Sequence, residues 1–382
     1  MTKKTVKVFP AVMKWARTTY MAGKLKDEAA RMLKLSVEEL DKLESQENYI
    51  TVPKLNRLSE KYHRPVTVLM LKTPPKSQEP PKFRKIDNFE ELEFDKKTFA
   101  AIRQAQEIQN RAEFLFEEKT NEFLISLKRN SDSVDSLVKT VLRELQIDEK
   151  TRFQGKDSKD QFKIWKRLLE IKSIIVLIHK FPLSDTRAFT LYNKVAPVIV
   201  LNNSDSDNGM VFSLFHELAH LALGHTDVDY EMDLGAKQKK YDEYFCNQVA
   251  ARCLVPKDLL INVVGMRNNF NDDLVQELAH KFKVSKSVVW IRLKEIGLIG
   301  EAEISKVRNT LSKFEGYNKK EKKPTGGGKN THLYVTLNRK SEFFISEVFA
   351  AYNLRRISYF DVLDYIGITS NTLPKLQKLI YT

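Results

Sequence analysis

Five consecutive residues carry the strongest chemical signal in this sequence: His216-Glu217-Leu218-Ala219-His220. On an α-helix, positions four residues apart lie about 40° apart around the axis, so both imidazoles can reach one ion. Neutral imidazole nitrogen is a common ligand of Zn2+ in proteins. Glu217 lies one position around the helix, where it could take a proton from water activated by the ion. This pattern is typical of zinc proteases that use glutamate as the general base.

Apolar residues flank this pattern from Phe212 to Leu223, and Gly224 is a typical helix stop. They predict a buried helix. Two histidines and a glutamate on such a helix need an explanation, because unpaired polar groups are costly to bury. The alternative is that two core histidines and a surface glutamate fall together by chance, and five residues in register make this the weaker interpretation.

A catalytic zinc site needs a third protein ligand and one open position. A second predicted helix, Tyr241–Leu254, ends before Pro256 and offers Glu243 as that ligand, with Asp242 as the fallback. Asn247 lies four residues after Glu243 on the same face and could accept a hydrogen bond from a ligand imidazole. The open alternative for Glu243 is a solvated helix carboxylate.

A zinc-dependent mechanism follows from these residues. Zinc lowers the pKa of bound water to about 7, Glu217 takes the proton, and the hydroxide attacks a peptide carbonyl. A further donor should stabilise the resulting oxyanion. Spacing does not choose among four candidates, for each of which a structural role is the favoured interpretation: His225, Tyr230, Tyr241 and Arg292. His225 lies five residues after His220, so it does not extend the same face, although it could line the cleft.

The composition is that of a globular protein with several domains. A chain of 382 residues exceeds one ordinary core, and its 42% hydrophobic and 30% charged residues are a typical balance. No apolar run approaches the roughly 20 residues that span a bilayer. The N-terminus has no apolar stretch of signal-peptide length. We therefore expect a cytoplasmic protein with no membrane partner.

Charge and cysteines add little more. The formal net charge of +14 permits contact with nucleic acid or an acidic partner but establishes neither, since solvated helix faces and lysine-rich linkers could carry the excess. Cys246 and Cys253 are seven residues apart on one predicted helix, about 10 Å along its axis. This separation is too long for a disulfide, so we predict two buried thiols.

The N-terminal region is predicted to be a bundle of short helices. One helix covers Lys26–Leu33, a second is capped by Ser36 and runs through Glu44, and a third starts at Pro53. Glu39 fits a capping box with Ser36. This rhythm is typical of DNA-binding helix–turn–helix bundles.

The candidate reading helix, Ser36–Ser45, is acidic. Phosphate contact needs Lys or Arg, and Lys42 is the one lysine in this helix. The helix carries four carboxylates that would repel DNA unless they point inward or away: Glu38, Glu39, Asp41 and Glu44. Ser36 and Lys42 are therefore candidate DNA contacts, and docking of this helix to another protein is the alternative interpretation.

The rest of the chain predicts further helices and a small sheet. After a proline-rich break at 73–81, amphipathic helices are predicted over Phe99–Leu127 and Ser133–Leu145. Three short segments rich in β-branched and apolar residues then predict strands: Ile174–Ile178, Ala188–Tyr192 and Val198–Leu201. The histidine helix follows directly, so we predict an α+β, mostly α fold.

The C-terminal third is predicted to hold one or two helices over Asp272–Leu293 and then a flexible linker at 319–329. A basic nucleic-acid patch is the alternative interpretation of the linker. Beyond it we predict a strand and two helices: Leu333–Leu337, Glu342–Asn353 and Tyr359–Ile366.

Residues 211–256 resemble the ImmA/IrrE family of bacterial metallo-endopeptidases. That family pairs the histidine motif with a downstream Glu, then Ala-Asn and a Phe-Ala-Ala segment ending in Leu-Met-Pro. Here Cys246 stands for the usual Ala and Val249 for the Phe, which are modest changes in packing residues. Weaker similarities cover residues 10–75, 284–293 and 350–376, which resemble a repressor-type (XRE-like) helix–turn–helix, a helix after the active site and the C-terminal module of longer members.

The resemblance implies a fold and a function. It implies a zincin-like, gluzincin-type peptidase core in residues 76–315, after a helix–turn–helix domain in 1–75 and before a small, mostly helical module in 330–382. The cofactor would be one Zn2+, with Mn2+ as the alternative. The substrate would be a helix–turn–helix repressor in a stress, phage or mobile-element switch.

Longer members of the family imply a second function. They are often the antitoxin-like partner of a toxin, commonly a PIN-type nuclease, and such a protein would bind its partner with a structural or weakly active zinc site. Operator DNA is a further candidate partner through the N-terminal bundle. The presence of Glu217 favours the enzyme, because a purely structural site needs no general base.

Overall fold

The computed structural model describes residues 5–20, 26–62, 66–74, 95–116, 119–224, 236–267, 269–300, 333, 337 and 339–381. The chain divides into two compact units, Met1–Glu93 and Phe94–Thr382. It is mostly helical with small sheets, as predicted for an α+β protein. Among the described residues, no helix combines the length and the hydropathy that a transmembrane span requires.

The first unit is a helical bundle with a short two-stranded sheet. Its elements are β1 (Thr5–Val8), α1 (Pro10–Tyr20), α2 (Lys26–Leu33), α3 (Val37–Ser45), β2 (Asn48–Thr51), α4 (Val52–Tyr62) and α5 (Val66–Leu69). β1 and β2 pair antiparallel, with Val6 opposite Ile50. The predicted helix at Lys26–Leu33 is found at those residues. The apolar faces of the helices meet in one core around Met13, Leu40 and Leu58.

Helix α3 begins with the predicted capping box. The Ser36 hydroxyl accepts from the Glu39 amide, and the Glu39 carboxylate accepts from the Ser36 amide. Ser36 is thus occupied in capping, whereas Lys42 is exposed on the second turn. Three of the four carboxylates of α3 are paired within the unit, Glu39 with Lys54, Asp41 with Lys26, and Glu44 with Arg17. These pairs offset much of the negative charge that the sequence places on this helix.

The second unit contains the histidine helix. Its elements are α6 (Lys96–Leu115), α7 (Glu122–Arg129), α8 (Val134–Glu144), α9 (Glu149–Phe153), α10 (Ser158–Ile171), β3 (Ile175–His179), β4 (Ala188–Leu191), β5 (Val198–Asn202), α11 (Asp207–Leu223), α12 (Ala236–Leu254), α13 (Lys257–Val264), α14 (Asp272–Phe282), α15 (Lys286–Glu295), α16 (Glu342–Asn353), α17 (Tyr359–Ile366) and α18 (Leu373–Tyr381).

Two predictions about secondary structure are wrong. The single helix expected over Phe99–Leu127 is broken into α6 and α7. The buried Asn121 starts the second helix: its side chain caps α7 and also donates to the carbonyls of Lys172 and Ser173. The strand expected over Leu333–Leu337 is also wrong, because Leu333 and Leu337, the two described residues of that stretch, are helical.

The three predicted strands form one sheet in the order β3-β5-β4. β3 runs parallel to β5, with Leu177 opposite Val200, and β4 runs antiparallel to β5, with Thr190 opposite Ile199. The strands are almost entirely buried because helices contact them: α11 and α6 both contact β4 and β5. The strand side chains that join the main core with α11 include Val176 and Ile199.

Helix α11 lies at the centre of the second unit. It packs against α12, α10 and α7 and is buried along most of its length. The apolar face of α12, including Cys246, Val249 and Cys253, joins the same core. Both cysteines are free and buried, as predicted. This packing fixes the two helices that carry the candidate ligands against each other.

Candidate metal centre

The N-terminal end of α11 is fixed by a loop network after β5. Ser206 caps the helix by accepting from the Gly209 amide at 3.0 Å. The buried Asp205 carboxylate accepts from the Ser206 amide at 2.7 Å and from the Arg187 guanidinium at 3.0 Å. At the other end Gly224 adopts a left-handed conformation with φ of 82°, as a helix-ending glycine does. The position of the histidines is therefore set at both ends of their helix.

The structure brings three side chains from two helices together. Nε2 of His216 and Nε2 of His220 are 3.1 Å apart on α11. The Glu243 carboxylate reaches them from α12, with one oxygen 3.4 Å from His216 and the other 3.2 Å from His220. In the described part of the chain this is the group of His, Cys, Asp and Glu side chains that could hold a metal ion.

The spacing of these atoms suits a zinc ion. Zinc–nitrogen and zinc–oxygen bonds of about 2.0–2.1 Å at tetrahedral angles place neighbouring ligand atoms about 3.4 Å apart. The three observed separations, 3.1, 3.2 and 3.4 Å, lie close to that value. Two imidazoles and one carboxylate are also a ligand set that catalytic zinc uses. The residues therefore fit the metal that the sequence predicts.

Burial differs among the three side chains. His220 is 2% exposed, His216 is 14% exposed and Glu243 is half exposed, so the group opens to solvent on the side of Glu243 and His216. Hydrogen bonding with His216, and then with His220, holds the pKa of the Glu243 carboxyl well below its ordinary value, although burial acts the other way. Glu243 is thus a carboxylate at neutral pH.

Glu217 lies next to His216 on α11 and is only 5% exposed. Its carboxylate is not part of the group of three ligand atoms. Burying a carboxylate costs free energy unless the group is paired or hydrogen-bonded, so proteins retain such groups mainly where they act. Its place on a rigid helix beside the imidazoles is compatible with the general-base role, which stays a prediction.

Asp242, the fallback ligand, and Asn247, the predicted hydrogen-bond partner of a ligand imidazole, are not placed for these roles. Asp242 is buried and accepts a hydrogen bond from Gln238 at 2.7 Å, outside the ligand group. Asn247 is exposed on α12. Among described residues no side chain accepts a hydrogen bond from the buried Nδ1 of His216, so Asn247 does not orient that ring.

Of the four candidates for the oxyanion donor, the two that the structure describes differ in their burial. Arg292 is buried and donates to the carbonyl of Val255 at 2.9 Å and to Glu295, so its guanidinium already has structural partners. Tyr241 is 61% exposed on α12, two residues before Glu243. His225 and Tyr230 lie outside the described residues.

The sequence analysis gave no role to two residues that contact the helices of the ligands. Arg152 on α9 is buried and donates to the carbonyls of Cys253 and Leu254 at the end of α12. Phe212 lies one turn before His216, with its ring centroid 6.1 Å from that of the imidazole. Helical spacing could have pointed to Phe212, whereas no local signal marks Arg152, because its partners are about a hundred residues away.

Comparison with known proteins agrees with this geometry. Residues 169–294 match the sequence model of the family described as Peptidase_M78, IrrE N-terminal-like domain. The match covers about a third of the chain and includes β3–β5, α11 and α12. No curated protein matches the chain significantly. The match supports the resemblance to ImmA/IrrE proteins and a metallopeptidase in general, with a metal ion and a protein substrate.

Proposed function

We propose that this protein is a zinc-dependent endopeptidase. His216, His220 and Glu243 would hold the ion, and Glu217 would be the general base. One observation carries the proposal: the ligand atoms of three side chains from two packed helices lie 3.1–3.4 Å apart. That is the spacing around a tetrahedral zinc ion.

The residues divide the chemistry between them. Bound zinc would supply Lewis acidity toward water and toward the substrate carbonyl. The Glu217 carboxylate would accept a proton from the attacking water and pass it to the leaving amine. Its fixed position on the helix limits the motion needed for each transfer. The more exposed side, at His216 and Glu243, is where a polypeptide would enter.

The substrate we propose is a specific regulatory protein, a helix–turn–helix repressor in a stress, phage or mobile-element switch of the cytoplasm. The family resemblance supports this substrate class. The separate compact unit Met1–Glu93 gives the chain a second surface with which to recognise such a protein or its operator DNA. The C-terminal module proposed for residues 330–382 adds a third candidate surface.

A paired comparison of variants tests the enzymatic proposal. Wild-type protein with Zn2+ and its Glu217→Gln variant are incubated with a peptide library prepared from bacterial lysate and with the intact repressor encoded nearest to this gene. Mass spectrometry of new N-termini reports cleavage. The matched control is Glu122→Gln, since Glu122 is an exposed carboxylate on α7. Wild type and the control should cleave, and Glu217→Gln should keep its zinc and fold but lose cleavage by about a thousandfold or more.

An antitoxin-like binding protein is the second candidate. It is favoured by the extra compact unit before the metal centre, which a minimal peptidase does not need. In that case Glu217→Gln would neutralise a PIN-type nuclease encoded nearby as well as wild type does, and the wild type would show no cleavage. Cleavage that depends on Glu217 would exclude a purely structural zinc site.

A further inference from the structure

The histidine helix has one open strip. From Met210 to Ala222 every residue of α11 is buried except Phe212 and His216. These two residues are four positions apart, so they lie on the same face, one turn from each other. The solvent-accessible part of this helix beside the metal ligands is therefore an aromatic ring.

The ring of Phe212 is held in place. Its centroid lies 6.1 Å from that of the His216 imidazole, with 32° between the two planes. Phe212 also packs against the main core, so only part of the ring is accessible. One turn earlier, Asn208 is tied to the carbonyl of Val284 at 3.0 Å. The strip thus consists of Asn208, whose amide is hydrogen-bonded, then the packed ring of Phe212, and then His216, a candidate zinc ligand.

We infer that Phe212 forms the apolar wall of a substrate subsite beside the metal centre, and that this subsite takes a bulky apolar side chain of the cleaved polypeptide. The inference rests on the proposed peptidase function and adds to it a class of residue near the scissile bond. A fixed, partly exposed aromatic ring gains contact area when an apolar side chain covers it. Asn208 and Phe212 offer no charge to a charged side chain, which would lose hydration over the ring, and the Glu243 carboxylate beside His216 would be engaged by the zinc ion.

Amino-acid hydroxamates test this subsite, because the hydroxamate group binds zinc and the side chain reports on its surroundings. The probes are phenylalanine, glycine and lysine hydroxamates, titrated into the full-length, zinc-loaded protein by calorimetry. We expect the phenylalanine compound to bind about tenfold or more tightly than the other two. Phe212→Ala should reduce its affinity to that of the glycine compound. Phe360→Ala, which removes a 78% exposed ring on α17, should keep the preference.

A second variant covers the case in which Phe212→Ala does not fold. Phe212→Leu keeps an apolar side chain, and it should retain a preference over glycine that is smaller than the wild-type preference. Equal affinities of the three compounds for wild type, or an undiminished preference in Phe212→Leu and Phe212→Ala, would overturn the inference alone. Failure of wild type to bind zinc would overturn the proposed function, and the inference with it.

Discussion

Arg152 and Cys253 are joined by a 2.6 Å hydrogen bond from a buried guanidinium to a backbone carbonyl, at the end of the helix that carries Glu243. The same guanidinium nitrogen donates to the carbonyl of Leu254 at 2.8 Å, and Arg292 donates to that of Val255. The last carbonyls of a helix have no partner within it, and a cation there is favourable. Two arginines from different elements thus fix the end of α12, and with it the register of Glu243 against α11.

Replacing Arg152 by Met should destabilise the second unit. The variant keeps the length of the side chain but leaves buried carbonyls without donors, which costs about 2–4 kcal/mol of unfolding free energy. Burial lowers the pKa of Arg152 to about 10, so the guanidinium remains charged at neutral pH. Urea unfolding measures the change. Arg143→Met, at a 67% exposed arginine on α8, is the control and should change stability by less than about 0.5 kcal/mol.

Substitution of Gly209 should lower the free energy of unfolding, because the Asp205 carboxylate occupies the space that a side chain would need. A Cβ at Gly209 would lie 2.4 Å from an oxygen of the buried Asp205 carboxylate, which anchors the start of α11. Gly209→Ala should therefore cost about 1–3 kcal/mol. In an Asp205→Ala background, which removes the clashing atoms, the same change should cost clearly less. Equal costs in the two backgrounds, measured by a double-mutant cycle, would show that the clash is not the cause.

His179 should make the second unit less stable in acid. Burial, aided by the nearby charges of Lys340 and Arg339, lowers the pKa of His179 to about 4. The unfolded chain binds a proton near pH 6.5, whereas the folded chain does not until about pH 4. The contribution of neutral His179 is therefore complete above pH 6.5 and is lost as the pH falls toward 4, by at most about 3 kcal/mol.

The matched variant isolates this contribution from other titrating groups. His179→Gln should show a shallower fall of unfolding free energy between pH 6.5 and pH 4 than wild type. Urea titrations at several pH values measure both slopes. Parallel slopes would mean that His179 is not protected from protonation in the folded state.

Local patterns predicted much of the fold and the centre of the site. Helix Lys26–Leu33, the capping box of Ser36, the three strands and the pairing of His216 with His220 all follow from spacing over a few residues. Glu243 could be singled out because it lies on a predicted helix that ends before Pro256, and no other downstream carboxylate has as good a setting. Such features depend on neighbours in sequence, which the sequence shows directly.

Tertiary contacts account for the failures. The break between α6 and α7 depends on Asn121, whose side chain caps α7 and bonds with carbonyls some fifty residues away. Arg292 was one of four oxyanion candidates for which a structural role was already the favoured interpretation, and its hydrogen bond to the Val255 carbonyl gives it such a role. Helix α10 (Ser158–Ile171), which packs against α11, was not predicted. Its many charged residues mask the single apolar face that the helix buries.

Zinc stoichiometry tests the central claim most directly. Wild type and two neighbouring α12 variants, Glu243→Gln and Asp242→Asn, are loaded with zinc, dialysed against a weak chelator and measured by mass spectrometry of the metal. We predict one zinc per chain for wild type and Asp242→Asn, and almost none for Glu243→Gln with its fold intact. Full zinc content in Glu243→Gln, or no zinc in wild type, would contradict a centre built from His216, His220 and Glu243.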